Sequence, residues 1–322
     1  MIPLRDSNRS ETFPLVNYAL IGANLLAFLW QASLGPALEK AFFLYGLVPI
    51  RYSDPSLASR FNVLEQILPF FSSIFLHGGF LHLLGNMWSL YLFGDNVEDR
   101  LGHLRYLFFY LLCGLVAGLT HLFTNWGSPV PTIGASGAIS GVMGAYLIMF
   151  PGARVLTLLP IFFFLQLIEV PAFLFLGLWF LMQILSAGAS SGQAGGVAWW
   201  AHIGGFLGGM LLLKIFQLFP RAALGDSLRA HTLRKKTPRL QRVSWSEPPA
   251  EVDIRGWITV SPREAALGTR KLVSVRHGLM QKNFLVTIPP GTRDGTVLRL
   301  RGLGLKNSLG DVGDLYLQVR VI

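Results

Sequence analysis

Gly134-Ala135-Ser136-Gly137-Ala138-Ile139-Ser140-Gly141 places a serine among small residues at the head of an apolar run that continues to Phe150. Small residues on a helix face let a second helix approach closely, which is how helices associate where lipid removes the hydrophobic drive between them. A matching run, Ala201-His202-Ile203-Gly204-Gly205 followed by Gly208-Gly209, sits near the start of the last long apolar segment and sets a histidine among glycines. Together they predict two closely packed apolar helices, one bearing a hydroxyl and the other an imidazole.

The surrounding chain supports that reading. Of 322 residues, 52% are hydrophobic and 14% charged, with a mean hydropathy of +0.49. These values exclude a disordered chain and an ordinary soluble globule, and Cys113, the one cysteine, excludes a disulfide scaffold. A membrane-crossing helix needs about 20 apolar residues. Six segments qualify: 14–34, 78–97, 104–124, 134–150, 168–186 and 197–219. The apolar stretch Leu68 to Leu76 in the long loop 35–77 reads as interfacial, cut off by Gly78-Gly79. The run Leu156 to Leu167 is ambiguous, because Pro160, Glu169 and Pro171 argue against one straight helix. The expected fold is an all-α polytopic membrane bundle of six transmembrane helices over residues 1–220. Arg5, Asp6, Arg9 and Glu11 precede the first span, and no cleavage site follows it, so no removable signal peptide is expected.

Charge is distributed unevenly. Residues 1–220 carry nine basic and nine acidic side chains, so 18 of the 27 Lys/Arg and eight of the 17 Asp/Glu lie beyond, with the whole net charge of +10. Arg5, Arg9, Arg100, Arg105, Arg154 and Lys214 fall on one side of the expected spans. On the other, 124–133 and 186–197 have no Lys or Arg, and only Lys40, Arg51 and Arg60 of the long loop count against the assignment. Both ends are therefore expected in the cytoplasm, with the protein in the cytoplasmic (inner) membrane.

Strongly polar side chains inside spans are costly and mark functional sites. His82 and Asn86 lie in the second span, Ser136 at the start of the fourth and His202 near the start of the sixth. These spans run in the same direction, so the four residues occupy one layer near the outer face. A helix N-terminus directs free N–H groups at an anion, which suits Ser136 as a nucleophile with a stabilised tetrahedral intermediate. His202 is placed to be its general base. Spacing of i to i+4 puts His82 and Asn86 on one helical face, as donors to an oxyanion. Each feature also has a plainer reading: helix-packing surface for the serine motif, and a hydrogen-bonded structural histidine for His202. The His77/His82 spacing supports no zinc site, and no pair of intramembrane aspartates exists.

On these motifs, residues 1–220 resemble the rhomboid family of intramembrane serine proteases. The resemblance rests on Gly134-Ala135-Ser136-Gly137, Ala201-His202-Ile203-Gly204-Gly205, and His82 with Asn86, in the family's order. It implies Ser136 as nucleophile, His202 as base in a dyad without an acid, and the Ser136 amide, His82 and Asn86 as oxyanion stabilisers. It also implies a water-filled cavity open to the outer face, and neither metal nor cofactor. The Trp-Arg pair frequent in the family's first loop has only Arg51-Tyr52 as a distant counterpart.

Residues 221–250 carry seven Lys/Arg against Asp226 and Glu247 and read as a basic juxtamembrane linker, either lipid-attracted or merely solvated. Beyond it, β-type runs Gly256–Ser261, Lys271–Arg276, Phe284–Ile288, Val297–Leu300 and Leu315–Val321 alternate with turns such as Pro289-Pro290-Gly291 and Gly310-Asp311-Val312-Gly313-Asp314. This predicts a small soluble all-β domain at 251–322. Val286 to Gly295, Leu300 to Gly304 and Gly313-Asp314-Leu315-Tyr316 resemble the C-terminal peptide-binding domain of DnaJ-type co-chaperones. Expected partners are transmembrane protein substrates, the lipid bilayer and a peptide or protein held by the tail domain, with no nucleic acid. The expected function is intramembrane peptide-bond hydrolysis, and the alternative is a catalytically silent membrane adaptor on the same scaffold.

Overall fold

The computed structural model describes residues 2–8, 10–161, 164–189, 197–219, 228, 231–233, 240–242, 252–277, 280–305 and 312–322. The basic run Arg234-Lys235-Lys236, most of the expected exterior loop 186–197, and Gly310-Asp311 lie outside them. The chain forms two compact units, 1–233 and 234–322.

In the first unit, strand β1 (Ile2–Asp6) precedes helix α1 (Leu15–Ser33). Short helices α2 (Leu38–Tyr45), α3 (Ile50–Ser53), α4 (Pro55–Ala58), α5 (Val63–Ile67) and α6 (Pro69–Ser72) occupy the expected long loop. The bundle continues with α7 (Phe80–Leu101), α8 (His103–Thr124) and α9 (Ser136–Met149). After strands β2 (Arg154–Ile161) and β3 (Phe164–Pro171) it closes with α10 (Ala172–Ala189) and α11 (Trp199–Leu218). A helix thus stands at each expected span. By length and composition, α1, α8, α10 and α11 can cross a membrane among the described residues. A fifth span results if α7 is joined to Val63–Phe75, from which it bends by 82°, at the expected Gly78-Gly79 break. Helix α9, with 14 residues, is about 21 Å long.

The first unit is not all-α. β1, β2 and β3 form an antiparallel sheet in that order, with Arg154 opposite Pro171 and Ile161 opposite Phe164. The described parts of the ambiguous run, 156–161 and 164–167, therefore lie in paired antiparallel strands, and residues 168–171 belong to the second strand rather than to the fifth span. Pro171 ends that strand and α10 begins after it, because proline lacks the N–H a helix interior requires.

α9 is the hub, packed against α7, α8 and α11. Its contact with α11 is backbone against backbone. A Cβ on Gly205 would lie 2.1 Å from the Gly137 carbonyl oxygen, one on Gly209 2.2 Å from that of Gly141, and one on Gly144 2.3 Å from that of Phe206. Only the missing side chains allow this approach.

Polar groups fasten α1. Pro14 offers no side-chain cap, and Glu98 of α7 instead accepts from Val16 N–H at 2.9 Å and Asn17 N–H at 2.7 Å. That satisfies two of the free donors of the first turn with a carboxylate at the positive end of the helix dipole. Glu98 also pairs with His103 Nδ1, and His103 Nε2 meets the Thr232 hydroxyl at 2.7 Å. Thr232 belongs to the stretch expected as linker. Tyr106 donates to Asn17 Oδ1 at 2.7 Å. Arg51, weighed above as an exterior loop charge, is buried. It donates to the carbonyls of Phe43, Leu44 and Glu65 at 2.8, 2.9 and 2.9 Å and lies 3.8 Å from the Phe61 ring centroid. It is scaffolding of the loop.

In the second unit β4 (Leu240–Arg242), β6 (Thr269–His277) and β7 (Met280–Ile288) form one sheet, ordered β4-β6-β7. β5 (Ile254–Val260), β9 (Leu315–Val321) and β8 (Val297–Leu300) form another, ordered β5-β9-β8. Each expected β run overlaps a strand. The unit is not purely β, since Pro262–Leu267 is a helix started by a Ser261/Glu264 capping box. Ile254, Ile258, Val273, Val275, Leu315, Leu317 and Val319 are buried at its core.

Two outcomes are expected. Gly205→Ala should lower the thermal midpoint of the full chain in detergent, with overpacking worth roughly 1–3 kcal/mol. Gly85→Ala in α7, whose Cβ would meet nothing within 4 Å, should be neutral or slightly stabilising; equal midpoints for the two would contradict the packing. Burial, with the charge of Asp95 added, pushes the Asp6 carboxyl up to about 6 against the pull of the Tyr146 hydroxyl. Its folded-state proton is held to higher pH than in the unfolded chain, where the group titrates near 4. The stabilisation it gives is full below pH 4 and lost as pH rises through 6. Asp6→Asn should therefore gain in midpoint over the wild type across pH 4 to 6, measured by thermal unfolding in buffered detergent, and a constant difference would refute the assignment.

Candidate active site

Ser136 is the first residue of α9, His202 the fourth of α11, and His82 the third of α7, with Asn86 one turn deeper. All four line a single cavity of about 1950 Å³. Its described lining contains no Asp, Glu, Lys or Arg.

Ser136 and His202 meet directly, with Oγ 2.7 Å from Nε2. The contact follows from the glycine packing, because Gly137, Gly141, Gly205 and Gly209 bring α9 and α11 close enough for two side chains at their heads to touch. His202 is buried and flanked by Trp179 and Trp199, whose ring centroids are 6.0 and 6.2 Å away.

Gly134 has a φ of +124° and leads the chain into α9. A Cβ there would sit 2.8 Å from His82 Nε2 and 3.5 Å from Asn86 Nδ2. The bare glycine thus leaves free a space bordered by both side chains just before Ser136. Gly78 N–H donates to His82 Nδ1 at 3.4 Å, which leaves the ring proton on Nε2, facing that space. Asn86 Nδ2 is buried and has no acceptor among the described residues. Two donors therefore border one spot beside Ser136.

His77 does not join this group. Its backbone N–H donates to Gln31 Oε1 at 2.9 Å and its carbonyl accepts from Gln31 Nε2 at 2.8 Å, and its ring packs edge-on against His82 at 5.2 Å. It ties the lead-in of α7 to α1.

Sequence reasoning missed Gln183. Buried on α10, it has Oε1 2.8 Å from His202 Nδ1, and its Nε2 donates to the Trp179 carbonyl at 3.1 Å. The available signal was a lone amide inside an apolar span.

Residues 64–218 match the Rhomboid domain family, a stretch that contains all five side chains of the cluster. Residues 249–322 match the DnaJ C terminal domain family. The chain is 32% identical over 158 residues to RHOMBOID-like protein 1 of Arabidopsis thaliana, covering 49% of this chain and 36% of that one. It is 29% identical over 205 residues to Rhomboid protein 1, mitochondrial, of Saccharomyces cerevisiae, covering 60% and 51%. Over 216 residues it is 29% identical to the human Presenilin-associated rhomboid-like protein, mitochondrial, covering 64% and 48%. The chain spans about a third to a half of the length of these relatives. With its helical bundle, apolar spans and separate β-rich unit, this is a multi-pass membrane protein in which residues 64–218 match the Rhomboid domain and residues 249–322 the DnaJ C terminal domain.

Proposed function

We propose that the protein is an intramembrane serine endopeptidase that cleaves transmembrane segments of other membrane proteins. The carrying observation is the 2.7 Å contact between Ser136 Oγ and His202 Nε2 beside the buried, unpartnered amide of Asn86. Ser136 Oγ attacks the scissile carbonyl carbon while its proton passes to His202 Nε2. The carbonyl oxygen, now an oxyanion, is received by the Ser136 N–H, His82 Nε2 and Asn86 Nδ2. The intermediate collapses, the C–N bond breaks, and the imidazolium gives its proton to the leaving amine. Water entering through the cavity hydrolyses the acyl-enzyme by the same steps in reverse order. Neither metal nor cofactor has a part in this scheme.

In this reading the six bundle helices all span the cytoplasmic (inner) membrane, with both termini in the cytoplasm and the 124–133 and 186–197 connections outside. Residues 1–220 form the protease domain, 221–250 a basic linker, and 251–322 a peptide- or partner-binding module that selects clients without taking part in the chemistry. Support for the module's role comes from the DnaJ C terminal domain match and from a tail holding the whole excess of basic charge.

A fluorophosphonate probe applied to the purified full chain in detergent should modify Ser136. Ser136→Ala should abolish labelling and His202→Ala should nearly do so, while Asn86→Ala or His82→Ala should slow turnover by no more than about 10²–10³, the typical cost of one oxyanion donor. Labelling that survives Ser136→Ala would overturn the assignment. Deleting residues 243–322 should leave labelling largely intact, and its loss from a folded membrane unit would make the tail part of the protease.

A further inference from the structure

The hydrogen bonds of Gln183 determine which nitrogen of His202 carries a proton. The Trp179 carbonyl can only accept, so the amide group must turn Nε2 toward it, at 3.1 Å. Oε1 is thereby committed to His202, where it lies 2.8 Å from Nδ1. An amide oxygen also only accepts, so Nδ1 must be the protonated nitrogen of the ring. In the neutral imidazole this leaves the lone pair on Nε2, the atom 2.7 Å from Ser136 Oγ.

We propose that Gln183 is a positioning residue that holds His202 in the base-competent tautomer and orientation, so that the expected dyad works as a triad with a neutral third member. The inference rests on the serine-endopeptidase reading. When Nε2 takes the Ser136 proton, Nδ1–H keeps its bond to Gln183 Oε1. The positive charge on the ring is matched by the negative charge on the oxyanion, and the same proton leaves with the amine. Without an acceptor at Gln183 both tautomers become available, and only one can deprotonate the serine. The Trp179 and Trp199 rings restrict ring swing but choose no tautomer.

The other titratable side chains facing His202 are His82 from α7 and His121 from α8, and no carboxylate among the described residues does so. A carboxylate placed at position 183 would therefore be the one anion acting on His202, and its effect can be read without interference. The test is the second-order rate of fluorophosphonate labelling of the full chain in detergent between pH 5 and 9, with thermal midpoints measured in parallel. Gln183→Leu should label roughly 10- to 100-fold more slowly, short of the ~10²–10⁴ that a general base contributes in full. Gln183→Glu keeps the acceptor and should restore most of the rate. By favouring the imidazolium it should also move the acid limb of the profile up by about one pH unit or more. If Gln183→Leu unfolds, the Gln183→Glu profile alone decides. Wild-type labelling at Ser136 with an unmoved Gln183→Glu profile would overturn the role of Gln183 and leave the protease reading standing. A wild type that does not label at Ser136 would overturn both.

Discussion

The close approach of α9 and α11 is the constraint on which the rest of the molecule depends. Two helices normally lie 8–10 Å apart, held off by their side chains; here the carbonyls of Gly137 and Gly141 fill the places that Cβ atoms of Gly205 and Gly209 would take. At this separation the short side chain of Ser136 reaches the His202 ring, with Oγ 2.7 Å from Nε2. The same contact leaves no room for adjustment, because α9 is hemmed in by α7 and α8 on its other sides. One ångström more between Ser136 Oγ and His202 Nε2, now 2.7 Å apart, would exceed hydrogen-bond distance.

Polar groups divide by position. Near the β1–β3 sheet and the start of α1, Glu98, Asn17, Tyr106, His103 and Thr232 bond to one another and to the first turn of α1. Around the cavity the Asn86 amide has no such partner. Leaving a buried donor unpaired costs about 1–3 kcal/mol, a cost that the carbonyl oxygen of the proposed reaction would relieve by supplying the missing bond.

Much of this was legible in the chain. Helix positions follow from length and hydropathy, and the break before α7 from Gly78-Gly79, a pair that interrupts an otherwise continuous apolar stretch. Ser136, His202, His82 and Asn86 could be read because each is an expensive group near the same end of parallel spans. The β1–β2–β3 sheet could not. β1 pairs with residues some 150 positions later, as in Pro3 with Thr157, and an apolar run such as 156–167 has no periodicity that separates strand from helix. Arg51 looked like a solvated loop charge because sequence does not reveal three carbonyls converging on one guanidinium. Gln183 escaped notice because an amide carries no charge and no motif, and its meaning lies in Trp179 one turn before it and in His202, which sequence separates by 19 positions.

A neutral third member is what an apolar bundle favours. A glutamate at position 183 would hold the imidazole as well and stabilise the imidazolium better, but before reaction it would be a carboxylate inside a unit whose described cavity lining has no countercharge. Desolvating such an ion costs several kcal/mol even after relaxation, a cost offset only while His202 is protonated. Glutamine supplies the same acceptor geometry with no charge to desolvate. The consequence is a division of labour: orientation comes from Gln183, and charge balance must come from within the reaction, the imidazolium against an oxyanion generated in the same step a few ångströms away. Such a site has little electrostatic help until a carbonyl is in place to accept the charge, which ties proton transfer to the presence of a correctly seated peptide bond.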